Sequence, residues 1–191
     1  MNSIDAVAGD SVQAAVIRPT AGFEQVQAGG VFHILCYDKD GNLKWEEKGP
    51  NLVVDTGLTY MVGTSLDAAA QTTTWYLGLI GSLTSIAPGD TMSTHSWTED
   101  TNYSQANRPT ATFGTASITG TSVASIDNSA SVAVFSINGT TTINGAFLTT
   151  SNTKGGTTGT LFSAKAFTGG ARSVISGDTL NVTYTFSLTG T

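Results

Sequence analysis

The clearest pattern in the chain is an alternation near its C-terminal end, where Leu180, Val182, Tyr184, Phe186 and Leu188 interleave with Thr179, Asn181, Thr183, Thr185 and Ser187. Only a β-strand sorts such a run onto two faces, because its side chains repeat every two residues. Residues 161–167 show the same grammar, with Leu161, Ser163, Lys165 and Phe167 set against Phe162, Ala164 and Ala166. An apolar strand face needs a second layer to cover it. Upstream, residues 31–37 and 42–48 read as strands joined by a hairpin loop at Asp38-Lys39-Asp40-Gly41, and 110–118, 120–126, 130–137 and 142–149 read as further strands. Residues 75–80, Trp-Tyr-Leu-Gly-Leu-Ile, are apolar at both parities, which predicts a central strand. Asn138-Gly139 predicts a two-residue hairpin, and Asp127-Asn128 a turn.

One stretch departs from period two. Leu58, Met61, Val62 and Leu66 recur at helical spacing behind Asp55 and Thr56, either of which can cap a helix. This predicts one amphipathic helix reaching about residue 70, its apolar face plugging an end or flank of the sheets. With about nine strands, the expected fold is all-β: an antiparallel β-sandwich or jelly roll with one short helix and an extended N-terminal arm. The arm takes residues 1–28 and a single domain takes 29–191.

Two stretches fit neither period. In the arm, short apolar groups are broken by Gly, Asp, Ser and Pro19, yet Val12, Val16, Ile17 and Phe23 are more apolar than a solvated tail requires. Either it is a loose terminus, or it lies on a partner subunit. Residues 81–108 form a long aperiodic stretch carrying Met92, His95, Trp97, Tyr103 and Arg108, residue types that dominate protein interfaces. The alternative at Trp97 is that it tucks back and anchors its own loop. These nine residues are the partner-binding candidates.

Composition narrows the class. Charged residues are only 12% of the chain, and Ser, Thr, Gly and Asn take their place, as is common in β-rich virion, adhesin and extracellular proteins. The net charge of -6, with no basic stripe, speaks against nucleic acid as a partner. Cys36 is the only cysteine, within an apolar run, and reads as a buried inert thiol. The N-terminus has no basic start or long apolar core, and no run is long enough to span a bilayer, so synthesis in a cytosol and no membrane partner are expected.

Candidate chemistry is sparse. His33 sits inside a strand run and reads as a hydrogen-bonded structural residue. His95 has Asp90, Glu99 and Asp100 near it in sequence, without the fixed spacing of a metal site. Glu46/Glu47 and Glu99/Asp100 are adjacent pairs, which a strand sends to opposite faces. No Gly-x-Ser-x-Gly elbow is present, and the glycine-rich stretch 155–159 lacks the lysine of a phosphate loop. No catalytic residue, metal ligand or cofactor is therefore nominated.

Five pieces in order carry a resemblance: Asn51-Leu-Val-Val-Asp-Thr-Gly-Leu-Thr-Tyr; Trp75-Tyr-Leu-Gly-Leu; Asp90-Thr-Met-Ser-Thr-His-Ser-Trp-Thr-Glu with Tyr103-Ser-Gln-Ala-Asn-Arg-Pro; Ile143-Asn-Gly-Ala-Phe-Leu; and Gly177-Asp-Thr-Leu-Asn-Val-Thr-Tyr. Together, over residues 30–188, they resemble a group of tailed-bacteriophage virion structural proteins, most like capsid decoration (cement) proteins. The resemblance implies a non-enzymatic protein on the capsid exterior that bridges capsomers, with the major capsid protein and copies of itself, as dimer or trimer, as partners. The alternative is a tail or fibre module binding host glycans, with Trp97 or Tyr103 stacking on a sugar and Asp90, Glu99 or Asn102 holding its hydroxyls.

Overall fold

The structure, a computed structural model, describes residues 25–190. Four of the candidate contacts, Val12, Val16, Ile17 and Phe23, lie outside the described residues. In chain order the described elements are β1 (Val26–Tyr37), β2 (Leu43–Pro50), β3 (Leu52–Val53), α1 (Asp55–Leu66), β4 (Trp75–Leu83), β5 (Trp97–Asp100), β6 (Thr110–Ala111), β7 (Ser117–Ile118), β8 (Val123–Asp127), β9 (Ala133–Ser136), β10 (Thr141–Ile143), β11 (Gly145–Thr149), β12 (Leu161–Ala166), β13 (Arg172–Val174) and β14 (Thr179–Gly190). Two six-stranded antiparallel sheets form the sandwich. The first has the order β2-β1-β14-β8-β7 with β9 also on β14, the second β3-β12-β11-β4-β5 with β6 also on β4, and β10 pairs separately with β13.

The opening alternation becomes β14, which lies between β1 and the strands β8 and β9. Its Leu180, Val182 and Tyr184 join Phe32, Ile34 and Cys36 of β1 in the main core, facing Leu77, Leu79, Leu148 and Phe162 of the second sheet. A smaller cluster of Val54, Ile80, Met92, Trp97, Phe147, Leu161 and Ala164 covers the far side of the second sheet. Strands β4, β11 and β12 are thus buried on both faces, and for β4 this is what its run of apolar residues predicted. The Asp38 loop is a hairpin as expected, its carboxylate accepting the Asp40 and Asn42 N–H groups while Gly41 takes φ +84°.

Four expectations change. β1 begins at Val26, where it pairs with Gly190, so residues 26–28 belong to the sandwich and not to the arm. The 81–108 stretch contains a strand, β5, held on β4. Asn138-Gly139 makes no hairpin: β9 joins the first sheet on β14, β10 pairs with β13, and Asn138 donates its backbone N–H to the Asn102 carbonyl. Tertiary pairing here outweighs the local turn preference. The helix forms but ends at Leu66, with Val54 as its cap residue and no side-chain cap.

The helix also turns three of its four expected inward residues outward, and only Met61 packs toward the sandwich. Its one buried residue is Gly57, and a Cβ there would collide with the Phe162 backbone carbonyl. That close approach turns Tyr60, Met61 and Thr64 toward the sandwich, half-buried. Leu58, Val62 and Leu66 are left 41%, 60% and 85% exposed. Tyr60 continues an aromatic chain edge-to-face with Trp75, which meets Phe162, which meets Phe186.

Candidate functional site

The far side of the second sheet is where the aperiodic loop, β5 and the glycine-rich loop after β11 converge. β5 supplies Trp97 and Glu99, two residues apart and pinned by the pairing with β4. The loop before it supplies Met92 and His95. Arg108 follows from the segment entering β6, fixed by its backbone N–H on the Asn152 carbonyl. Met92, His95, Trp97, Thr98, Glu99 and Arg108 line a cleft of about 300 Å³ together with the 155–157 backbone turn.

Arg108 is the strut of this cleft. Its Nε donates to Glu99 Oε1 at 2.9 Å and its Nη2 to Glu99 Oε2 at 2.7 Å, a two-pronged pair. Nη1 donates to the Ser151 carbonyl at 2.9 Å and Nη2 also to the Gly156 carbonyl at 2.7 Å. The Gly155 N–H donates to Glu99 Oε2 at 2.8 Å, and the guanidinium lies 5.2 Å from the Phe147 ring centre. Both charges are thereby desolvated and satisfied, in the arrangement where losing one partner costs about 3–5 kcal/mol. Lys154 completes the clamp by donating to the carbonyls of Tyr103 and Gln105.

The candidate contacts Met92, Trp97, Tyr103 and Arg108 are 2%, 5%, 0% and 2% exposed, so they do not form a contact surface. Trp97 anchors its own loop, with His95 stacked at 3.6 Å on one side and Phe147 tilted at 4.8 Å. Tyr103 packs edge-on to Phe135, beneath Lys154, and burial followed by the nearby Glu99 charge pushes its phenol up. Neither ring has a free face for a sugar. Asp90 is buried and accepts the Ala87 N–H, Glu99 is committed to Arg108, and Asn102 donates to Asp100. Of the five loop candidates, the half-buried His95 alone keeps an accessible side.

What the cleft still offers is small. Among the described residues Trp97 Nε1 and His95 Nδ1 are buried without a hydrogen-bond partner, and Glu99 and Arg108 beside them are spent on each other and on the protein's own backbone. Apart from the His95 imidazole, the acid and the cation that line the cleft, Glu99 and Arg108, are paired with each other. The acidic pairs divide as strand geometry requires: Glu46 meets His33 Nε2 at 2.7 Å, while Glu47 turns inward. Cys36 is fully buried, and burial, then the nearby Asp178 charge, pushes its thiol up to about 11. Among the described residues no group of three or more His, Cys, Asp and Glu is placed to hold a metal, and no helix is long and apolar enough to cross a membrane.

The aperiodic loop helps to build this cleft, but its Met92, Trp97, Tyr103 and Arg108 are turned into the protein. The partners the sequence did not single out are the Ser151 and Gly156 carbonyls, backbone acceptors that carry no sequence signature, and Lys154, whose amine donates to the Tyr103 and Gln105 carbonyls. The one available signal was the opposite charge of Glu99 and Arg108 beside a glycine-rich run. No family model matches the chain, and neither a curated protein nor a solved structure was found similar to it.

Proposed function

We propose that this chain is a non-enzymatic structural protein of a tailed-phage particle, a decoration protein that binds the outside of the capsid and bridges its capsomers. The observation that carries the reading is the stripe of Leu58, Val62 and Leu66 on α1, three large apolar side chains exposed on a surface otherwise rich in hydroxyls. Side chains at i, i+4 and i+8 form one ridge on a helix, and an exposed apolar ridge marks a contact with another protein. The net charge of -6 suits an exterior position away from packed DNA. Modest contacts suffice when many copies share one shell. The buried ion pairs hold loops in shape, which is the work of a rigid spacer.

The major capsid protein and neighbouring copies of the chain are the partners on this reading. The test mixes purified protein with shells that lack it, followed by co-sedimentation and imaging. Regular occupancy over the shell is expected for the parent chain, and loss of at least tenfold in affinity for the combined Leu58→Ser, Val62→Ser and Leu66→Ser variant, equal to about 1.4 kcal/mol. Density confined to a tail, or equal binding by the variant, would overturn it.

A further inference from the structure

The two layers part at the end where α1 sits. Along the inward side of β14, Leu180, Val182 and Tyr184 are fully covered, while Phe186 is only half-buried. A cavity of about 180 Å³ opens there between the sheets. Ile126 and Phe186 of the first sheet stand across it from Phe162 of the second, and Met61, Trp75 and Phe113 close its sides. Its walls are held by the fold itself. The backbone contact at Gly57 fixes how near α1 brings Met61, and the rings of Tyr60, Trp75, Phe162 and Phe186 meet edge-to-face at 5.1–5.2 Å. The one hydroxyl in the lining, that of Tyr184, already accepts hydrogen bonds from Ser163 and Asn51. Protein interiors hold few voids larger than a water molecule. An apolar one of about 150 Å³ stays dry and takes up a benzene ring.

Trp75, Phe113 and Ile126 also line a second hollow, of about 400 Å³, which therefore adjoins the first. Its other walls are of a different kind: Gln71, Thr72, Thr73, Thr74, Thr110 and Thr112. The pairing of β4 with β6 sets Trp75 against Ala111 and Tyr76 against Thr110, and the Thr72 N–H donates to the Tyr60 hydroxyl at 2.7 Å, so this rim too is fixed in place. Among the described residues the side chains of those six make no hydrogen bond, and the Trp75 indole N–H has no acceptor. No charged side chain lines either hollow. An apolar chamber with a few uncommitted polar groups at its mouth is the ordinary build of a small-molecule site. The absence of charge in both linings excludes an ionised ligand, which would be desolvated there without a partner.

We infer that this end of the sandwich binds a small uncharged molecule made of one aromatic ring and a hydroxyl group. The ring lies in the chamber among Met61, Phe162 and Phe186, and the hydroxyl reaches out to the threonine rim. The site is independent of the capsid reading, which rests on the outer side of α1.

Titration of benzyl alcohol into the uniformly ¹⁵N-labelled full chain tests it. Saturable shifts of the Phe113, Ile126 and Phe186 amides are expected, with nuclear Overhauser contacts from the ring protons to the Met61 and Ile126 methyl groups. Benzoate carries the same ring with a charge and should bind weaker by about tenfold or more. The combined Thr74→Val and Thr112→Val variant should bind benzyl alcohol about threefold more weakly and toluene as well as the parent chain does. Ile126→Trp fills the chamber and should abolish binding of both; the threonine variant, changed only at the rim, carries the test if that substitution disturbs the fold. Shifts that do not saturate, shifts confined to Leu58, Val62 and Leu66, or benzoate binding as tightly as benzyl alcohol would each overturn the assignment.

Discussion

Glu47 is 5% exposed, with Lys165 Nζ at 3.2 Å, Arg172 Nη2 at 3.3 Å and the Thr168 N–H at 2.9 Å. Burial alone would raise its pKa, but the Thr168 N–H, Lys165 and Arg172 outweigh it and hold the carboxyl below its ordinary value of 4.5. A carboxyl with a lower pKa folded than unfolded contributes stability above its unfolded pKa, and that contribution is lost as pH falls through the folded value. Stability should therefore hold down to about pH 4.5 and decline below it. Glu47→Gln leaves Lys165, itself 3% exposed, without its counter-charge. The variant should be less stable at neutral pH by about 3–5 kcal/mol, and the gap should narrow in acid. Urea denaturation over roughly pH 3 to 7 checks this, and a gap that does not vary with pH would refute it. That Glu46 and Glu47 part company was legible from strand parity. That Lys165 would answer Glu47 was not, because the pairing exists only once β2 and β12 are brought together by the fold.

At the scale of the element, α1 was legible in its position and illegible in its orientation. Four apolar residues at helical spacing span more than one face, and hydrophobicity alone chose the stripe that the structure leaves outside. The deciding residue is Gly57, whose missing side chain lets the helix backbone rest against the Phe162 carbonyl. Gly57→Ala should push α1 off β12 and cost about 1–3 kcal/mol by overpacking, although alanine is the better helix former. Chemical denaturation would show a lowered midpoint with an unchanged slope, and a stabilised variant would contradict the packing argument. The aperiodic loop presented the same difficulty in another form. Trp97, Tyr103 and Arg108 have the chemistry of an interface, and they are used to bind the protein to itself.

For the molecule as a whole, the two-layer antiparallel sandwich could be read from period-two runs, and β4 was recognisable as a doubly buried strand from its apolar residues at both parities. The division of runs such as 110–118 into β6 and β7 could not, since short strands owe their limits to where a neighbour stops. The pairing of β1 with β14 over twelve residues was equally hidden, because it joins the two ends of the described chain. Pairings so remote in sequence must close a large loop before they return any energy, which slows folding. Refolding from urea is expected on the millisecond-to-second scale, about that of other β-sandwiches, and in slower proportion than a helical protein of this length. Stopped-flow fluorescence of the tryptophans measures it, and a microsecond phase carrying the full amplitude would show that this ladder does not limit the rate. The same ladder sets how the molecule answers a pull. Val26 and Gly190 face each other across one register, so tension applied between them opens the β1–β14 seam one rung at a time, like a zip. Tension along the strands in opposite directions would have to break every rung together, and the sandwich is correspondingly weak in one direction and stiff in the other.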